Sequence, residues 1–341
     1  MYTSISIENL RGFETISTSD FRHFNLIGGK NNSGKTTLLE GLFLLTGAVR
    51  PNLAININAF RGLATFRFDQ SPQGERPWDA AFRDYRTELT IRLTAWDRAK
   101  KKRTVTIQQE SLKTVPVVPS STESKDTRGV TGFPYALRLL HTYDRKKSSV
   151  LLRLSAESPI IEPNLPIPMP CIFVMPRQLG PSKEEAERLG KLQVIKGEEV
   201  LINALRTIEP RLKSITVVQK GNEPILHADI GKPRLMPLNL MGGGITRLTT
   251  ILLSIADAPD GLVLIDEIEN GFHYSSLTGV WRAIRELAIM TRTQIFAATH
   301  SMECIMAAHK VFSSVKNYDL SYHRIDRKDG TATVKHYDKH T

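Results

Sequence analysis

The sequence predicts an α/β fold in which a mostly parallel core sheet, flanked by helices, is joined to an antiparallel β-rich lobe. Near the N-terminus the apolar strand 24–27 runs into Gly28-Gly29, and Leu38, Leu39, Leu42, Phe43 and Leu45 then recur at helical spacing. Towards the C-terminus, apolar strands at Leu262–Ile265 and 294–299 bracket a helix whose Leu277, Val280, Trp281, Ile284, Leu287 and Ala288 share one face. Strands separated by helices in this way pair in parallel through right-handed crossovers. Between these stretches, residues 51–175 alternate in the period of β structure and are broken by loops.

Taken in order, Tyr2–Leu10 reads as a strand, with Ile5 and Ile7 alternating against polar neighbours. The helix after Gly28-Gly29 should stop near Gly47 and Pro51. Residues 88–95 and 103–109 look like paired strands with a basic tip, Arg98-Ala99-Lys100-Lys101-Lys102-Arg103, between them. Residues 115–134, rich in Pro, Ser, Thr and Gly, read as a surface loop, and 151–154 and 171–175 as further strands. Val200, Leu201, Ala204, Leu205 and Ile208 mark a helix that Pro210 ends. Residues 215–218 and 225–230 flank Gly221-Asn222 as a hairpin, and another helix begins after Gly242-Gly243-Gly244. The expected organisation is a head formed by residues 1–50 and 176–341 around a β-rich insertion, 51–175.

The chain has 341 residues, 40% apolar and 24% charged, with 46 Lys plus Arg against 35 Asp plus Glu, a formal net charge of +11. This is an ordinary globular composition, which excludes collagen-like and disordered classes. The basic excess fits either nucleic-acid contact or a solvated basic face. Cys171 and Cys304 are too few for a disulfide framework, so a reducing, cytoplasmic setting is expected. No apolar run approaches the ~18 residues of a membrane span. Glu8 and Arg11 lie in the N-terminal β-like stretch, which has no apolar core of a signal peptide. Neither a solenoid repeat nor a long heptad run is present.

Gly29-Lys30-Asn31-Asn32-Ser33-Gly34-Lys35-Thr36 fits the spacing G-x-x-x-x-G-K-[ST] at every fixed position. Glycines let such a loop turn tightly enough for successive N–H groups to face phosphates. Lys35 then supplies a point charge, and the Thr36 hydroxyl is a ligand for Mg²⁺. The alternative, a glycine-rich turn capping a helix, leaves the strand before and the amphipathic helix after unexplained. The strand Leu262–Ile265 ends in Asp266-Glu267, and parallel strands deliver such ends to the edge where ligands bind. Asp266 would share the Mg²⁺ shell and Glu267 would take a proton from the attacking water. His300, ending the neighbouring strand, should sit beside them to sense or stabilise the γ-phosphate or to orient the water. Leu240-Met241-Gly242-Gly243-Gly244 opens a helix and so makes a second anion site, which one nucleotide in one subunit does not need.

The order phosphate loop, glycine signature, Asp-Glu strand and strand-end His resembles the P-loop NTPases with an ABC-ATPase-type head. The opening stretch Ile5-Ser6-Ile7-Glu8-Asn9-Leu10-Arg11-Gly12-Phe13 and the loop up to Thr37 are similar to those of RecF, SMC and OLD-family ATPases. Residues 266–274 (Asp-Glu-Ile-Glu-Asn-Gly-Phe-His-Tyr) and 296–305 resemble most the stand-alone OLD-like ATPases of bacteria, including components of two-part antiphage systems such as PARIS and Septu. The resemblance covers about residues 1–50 and 170–341. It implies ATP and Mg²⁺ as cofactors, with ATP held by Arg11 and by Gly29, Lys30, Asn31, Asn32, Ser33, Gly34, Lys35, Thr36 and Thr37. It also implies that Met241, Gly242, Gly243 and Gly244 close on the nucleotide of a second subunit. Gln178 is the candidate for a glutamine joining Thr36 and Asp266 at the metal, a plain surface glutamine being the alternative. The signature departs from the transporter pattern, because Met241 stands where a serine is usual and cannot donate a hydroxyl hydrogen bond.

Two functions follow as expectations. One is an ATP-hydrolysing dimeric switch, a homodimer or higher even oligomer, that controls a separate effector such as a nuclease or toxin in antiphage defence. The other is a RecF-like ATPase that binds DNA in replication or repair. A membrane-transporter subunit is disfavoured by the opening strand and the signature. The basic tip could grip phosphates or simply be a solvated turn, and no aromatic residue interleaves it for stacking.

Overall fold

The computed structural model describes residues 1–47, 49–59, 61, 75–112, 135–154, 159–166, 169–176, 183–194, 196–221 and 223–339. The predicted loop 115–134 lies outside them. The chain opens with β1 (Tyr2–Leu10) and β2 (Phe13–Thr18), an antiparallel hairpin, and then enters β3 (Phe24–Gly28), which is buried along its whole length. Helix α1 (Lys35–Thr46) follows the phosphate loop and stops at Gly47, and α2 (Leu53–Ala59) comes after it. Leu38, Leu39, Leu42, Leu44 and Leu45 bury sides of α1 all around its axis, as befits a helix enclosed between two sheets.

Strands β4 (Ile91–Asp97), β5 (Lys102–Ser111), β6 (Tyr135–Tyr143), β7 (Lys146–Arg153) and β8 (Ile160–Glu162) form an antiparallel meander. The β-rich stretch is not self-contained: its seven-stranded sheet runs β2-β1-β4-β5-β6-β7-β8 and so takes in the N-terminal hairpin. Conversely β9 (Cys171–Val174) leaves it and pairs in parallel with a strand of the core. The basic tip is only partly basic surface. Arg103 turns inward, buried over the Tyr143 ring at 4.7 Å, and Lys101 pairs with Asp144 at 2.9 Å.

Helices α3 (Lys183–Val194) and α4 (Glu198–Leu205) precede a small sheet of β10 (Ser214–Lys220), β11 (Glu223–Asp229) and β12 (Met236–Pro237). Its hairpin closes at Gly221, whose φ of 62° suits glycine. Ile208 falls beyond the end of α4. Then come α5 (Gly243–Ala256), β13 (Leu262–Ile265), α6 (Leu277–Thr291), β14 (Gln294–Ala298) and α7 (Met302–Ser313). The chain closes with the hairpin β15 (Leu320–Lys328) and β16 (Thr331–Tyr337), which the sequence reading did not contain.

The core sheet has the order β16-β15-β3-β14-β13-β9, parallel throughout except for the edge strand β16. Alternation along its strands divides the interior. Leu26, Val263, Ile265, Ile295 and Ala297 face helices α3 to α7, whereas Ile27, Leu262, Leu264, Phe296 and Ala298 face α1 and the antiparallel sheet. The layers are therefore helices, parallel sheet, α1, antiparallel sheet. Gln294 joins the two sheets: fully buried, it accepts from the N–H of Tyr2 and donates to the carbonyls of Tyr2 and Arg22, each at 2.8 Å.

Candidate functional site

The phosphate loop is shaped by two close approaches. A Cβ on Gly29 (φ 143°) would meet the Ile325 carbonyl at 2.4 Å, and one on Gly34 (φ 107°) would meet the Phe13 ring at 2.3 Å. Only glycine fits either place, so β15 and β2 clamp the loop from two sides. Asn32 also takes a left-handed φ of 60°. Gly34 gives α1 no side-chain cap, so the first-turn N–H groups at Lys35, Thr36 and Thr37 have no partner within the helix. Lys30, Asn31 and Asn32 are exposed, whereas Ser33 is buried with its Oγ unpaired among the described residues. Lys35 Nζ donates to the carbonyls of Gly29 and Lys30 at 2.9 Å each. Burial lowers its pKa, against the pull of Asp266, Glu269 and Glu267.

Strand register brings the second motif to the same edge. Val174 and Ile265 are paired, as are Ile27 and Ala298, and the hydrogen bonds Asp266 N–H to Val174 O and Thr299 N–H to Ile27 O continue the pattern. Thr36 Oγ1 donates to Asp266 Oδ2 at 2.9 Å. Burial raises the Asp266 pKa, with the Thr36 hydrogen bond acting the other way. Glu267 sits at φ 46°, a left-handed conformation that costs a non-glycine residue about 1 kcal/mol and concentrates at functional positions. Glu269 Oε1 accepts from the backbone N–H of His300 at 2.9 Å and lies 3.0 Å from its ring Nδ1.

These residues fit a nucleotide with its metal. An orphan N-terminal helix turn, an ammonium directed into the loop, and a hydroxyl paired with a buried carboxylate match what triphosphate and Mg²⁺ require. Among the described residues no group of three or more His, Cys, Asp or Glu gathers as a cage. The Thr36–Asp266 pair instead suits an ion that draws its other ligands from phosphate and water.

The glycine turn stands apart. Gly242 (φ 104°) and Gly243 are exposed, with open space where a Cβ would lie, and Met241 is half-buried. The turn rests on Gly271, whose own φ of 83° allows close contact with Gly243. One turn further along α5, buried Arg247 donates to the carbonyls of Met175 and, at 2.7 Å, Asp266. Burial brings its pKa down to about 10 against the pull of Asp266, Glu267 and Glu269. The start of α5 is thereby fastened to the end of β13.

Thr36 and Asp266 are thus hydrogen-bonded, Lys35 lies in the field of Asp266, Glu269 and Glu267, and His300 joins them through Glu269. Arg11 is engaged within the chain: its guanidinium binds Glu40 at 2.6 and 3.1 Å, Asn58, and the carbonyls of Ile57 and Ala80. It fixes the β1–β2 turn to α1 and α2. Gln178 lies outside the described residues. The sequence reading passed over Glu40, Arg247 and Glu269, although the last two stand inside stretches it singled out. A charged residue one helical turn beyond a glycine run, or just past the Asp266-Glu267 pair, was the available signal.

Fold and site together define a class, the P-loop ATPases with an SMC-head-like fold of parallel and antiparallel sheets. Within it, the chain belongs to the family described as AAA domain, putative AbiEii toxin, Type IV TA system, whose profile matches residues 24–306. No curated protein matches the chain. Among solved structures it is similar to an Smc head bound to the C-winged helix domain of ScpA, at 12% identity, covering 99% of this chain and 97% of that one with a TM-score of 0.52. An SMC head domain from Thermotoga maritima matches at 12% identity, 99% and 99% coverage and TM-score 0.46. An Smc head with an extended coiled coil bound to the C-terminal domain of ScpA, from Pyrococcus furiosus, matches at 11%, 99% and 96%, and 0.48. At such identities the likeness is one of fold. No helix among the described residues is long and apolar enough to cross a membrane.

Proposed function

We propose that the chain binds and hydrolyses ATP with Mg²⁺ and works as a homodimeric switch, or a higher even oligomer, in the cytoplasm. One observation carries the reading: the phosphate loop, His300 and the Asp266-Glu267 pair follow three adjacent parallel strands, β3, β14 and β13, at one sheet edge. In this reading the N–H groups of the loop and of the first turn of α1 bind the phosphates, and Lys35 neutralises them. Thr36 and Asp266 hold Mg²⁺, which screens the phosphate charge. Glu267 takes the proton of the attacking water. Because Met241 offers no hydroxyl, the turn Gly242-Gly243-Gly244 meets the partner's γ-phosphate through backbone N–H groups alone. The switch acts on a separate effector, a nuclease or toxin, as the ATPase component of an OLD-like antiphage system. The toxin–antitoxin wording of the family and the resemblance at residues 266–274 support that role.

The test is phosphate release from ATP and Mg²⁺, with mass by light scattering. Glu267→Gln should retain ATP, lose turnover by about 10²-fold or more, and double in mass when ATP is added. Turnover close to that of the unaltered chain would sink the reading. In a parallel anisotropy titration, duplex DNA bound tightly with a steep salt dependence would favour the RecF-like alternative.

A further inference from the structure

We propose that Glu269 is the positioning residue of His300, and that it fixes the imidazole with its proton on Nδ1. The inference rests on the ATPase reading above and decides a matter that reading leaves open, namely what His300 does. Glu269 Oε1 lies 3.0 Å from His300 Nδ1 and accepts the backbone N–H of the same residue at 2.9 Å. One carboxylate oxygen thus holds both the ring and the backbone that carries it. The clamp is built from a rigid part of the molecule. Glu269 is one residue past Ile268, whose N–H is bonded to Ala298 O at 3.0 Å, and His300 is two residues past Ala298, so the two partners are tied across the ends of β13 and β14. Glu269 is 13% exposed and its Oε2 is buried with no hydrogen-bond partner among the described residues, whereas the His300 side chain is half exposed. The carboxylate is therefore the fixed member and the imidazole the one presented to solvent.

A carboxylate is an acceptor only, so the ring nitrogen facing it carries the proton. In the neutral ring Nε2 is then left with a lone pair. Such a nitrogen cannot donate to a phosphate oxygen, but it can accept one hydrogen of a water while Glu267 accepts the other. The geometry gives His300 the task of orienting the water and Glu267 that of taking its proton. Outer partners of metal-bound histidines typically affect affinity or activity by about 10- to 100-fold, and an effect of that order is expected here.

The experiment uses the full chain. With ¹⁵N-labelled histidine, the His300 signals are assigned by their loss in His300→Ala. Nδ1 should carry the proton and Nε2 should show the shift of an unprotonated nitrogen. In Glu269→Ala the proton should redistribute towards Nε2, and kcat should fall about 10- to 100-fold with KM for ATP changing less than about threefold. Glu269→Gln, which can still accept through its amide oxygen, should recover part of both. Adding Glu269→Ala to His300→Ala should cost nothing further. A His300 protonated on Nε2, alone or together with Nδ1, overturns the proposal, as does Glu269→Ala with full kcat. If the unaltered chain shows no turnover that depends on Glu267, the ATPase reading fails instead, while the tautomer still reports on Glu269 by itself. Because that measurement is made on the unaltered chain, a variant that fails to fold leaves it intact.

Discussion

Single residues here answer to burial before they answer to chemistry. Glu40 is buried on α1, and it is tolerated because Arg11 and Arg61 both bind it, at 2.6 and 2.9 Å. A buried carboxylate without such partners would be costly. That demand accounts for the contact of Arg11 with α1. His323 shows the same logic with no charged partner. It is fully buried between Thr18 Oγ1 at 3.0 Å and Ser321 Oγ at 2.7 Å, and burial, with His336 adding to it, takes its pKa from the ordinary 6.5 to about 3. His141 moves the same way, to about 4, chiefly through burial and also through Arg103. Between these values and 6.5 the unfolded chain binds protons that the folded chain refuses. Stability is therefore complete above about pH 6.5 and declines as pH falls through that window, by up to about 1.4 kcal/mol per pH unit for His323. Urea midpoints measured from about pH 7 down to about pH 5 should fall, and His323→Gln should flatten the slope. An unchanged slope in the variant would remove His323 as a cause.

At the scale of elements, the turn Gly242-Gly243-Gly244 and helix α5 make the clearest prediction. Gly243 is exposed and has open space at its Cβ position, so a side chain there disturbs no packing. Gly243→Asp should leave the fold and ATP binding by one subunit intact while putting a carboxylate where the partner's γ-phosphate would dock. Hydrolysis should then drop by about 10-fold or more, since one unfavourable charge contact of roughly 1–2 kcal/mol is enough. Lys35→Ala should instead lose nucleotide binding. In an equimolar mixture, one composite site joins an intact phosphate loop to an intact glycine turn, so part of the activity should return. No recovery at any ratio would exclude catalysis across subunits. The elements that carry this prediction were legible because each is announced by local chemistry: a glycine run, an apolar strand ending in two acids, a helix with one apolar face. The hairpin β15–β16 was equally announced, by Asp329-Gly330 with φ of 50° and 81°, but no alternation around it was read. The β6–β7 turn was not legible in that way. Asp144 and Arg145 both have positive φ, 45° and 73°, and an arginine gives no sign that it will accept a conformation usually left to glycine or asparagine. Pairing of β1 and β2 with β4 to β8 is non-local, which no window of sequence contains, so the lobe could be recognised as β-rich but not bounded.

For the whole molecule, what matters is how the nucleotide edge is wired to the rest. The phosphate loop is gripped by Phe13 at the start of β2 and by Ile325 in β15, and β2 is an edge strand of the seven-stranded sheet. The loop is therefore in direct packing contact with the antiparallel lobe through Phe13. On the other flank Arg247 ties the glycine turn to β13 and β9. In the proposed switch this arrangement would report nucleotide state outward, with the lobe and its basic tip as the surface offered to the proposed effector. Among the described residues no group of three or more His, Cys, Asp or Glu gathers to hold a metal ion; in the proposed mechanism Asp266 and Glu267 serve the ATP site, and a nuclease ordinarily needs its own acidic cluster, often with two metal ions. Purified alone, the chain should therefore hydrolyse ATP slowly and leave DNA uncut with Mg²⁺ or Mn²⁺. With the proposed effector present, its release or activation should follow ATP state, and Glu267→Gln should hold the complex in one condition. The measurement is a plasmid-cleavage time course with the highly purified chain, alongside Asp266→Asn and variants of carboxylates elsewhere. Metal-dependent cleavage that survives loss of Asp266 and Glu267 but disappears with another carboxylate would show that the effector chemistry resides in this chain.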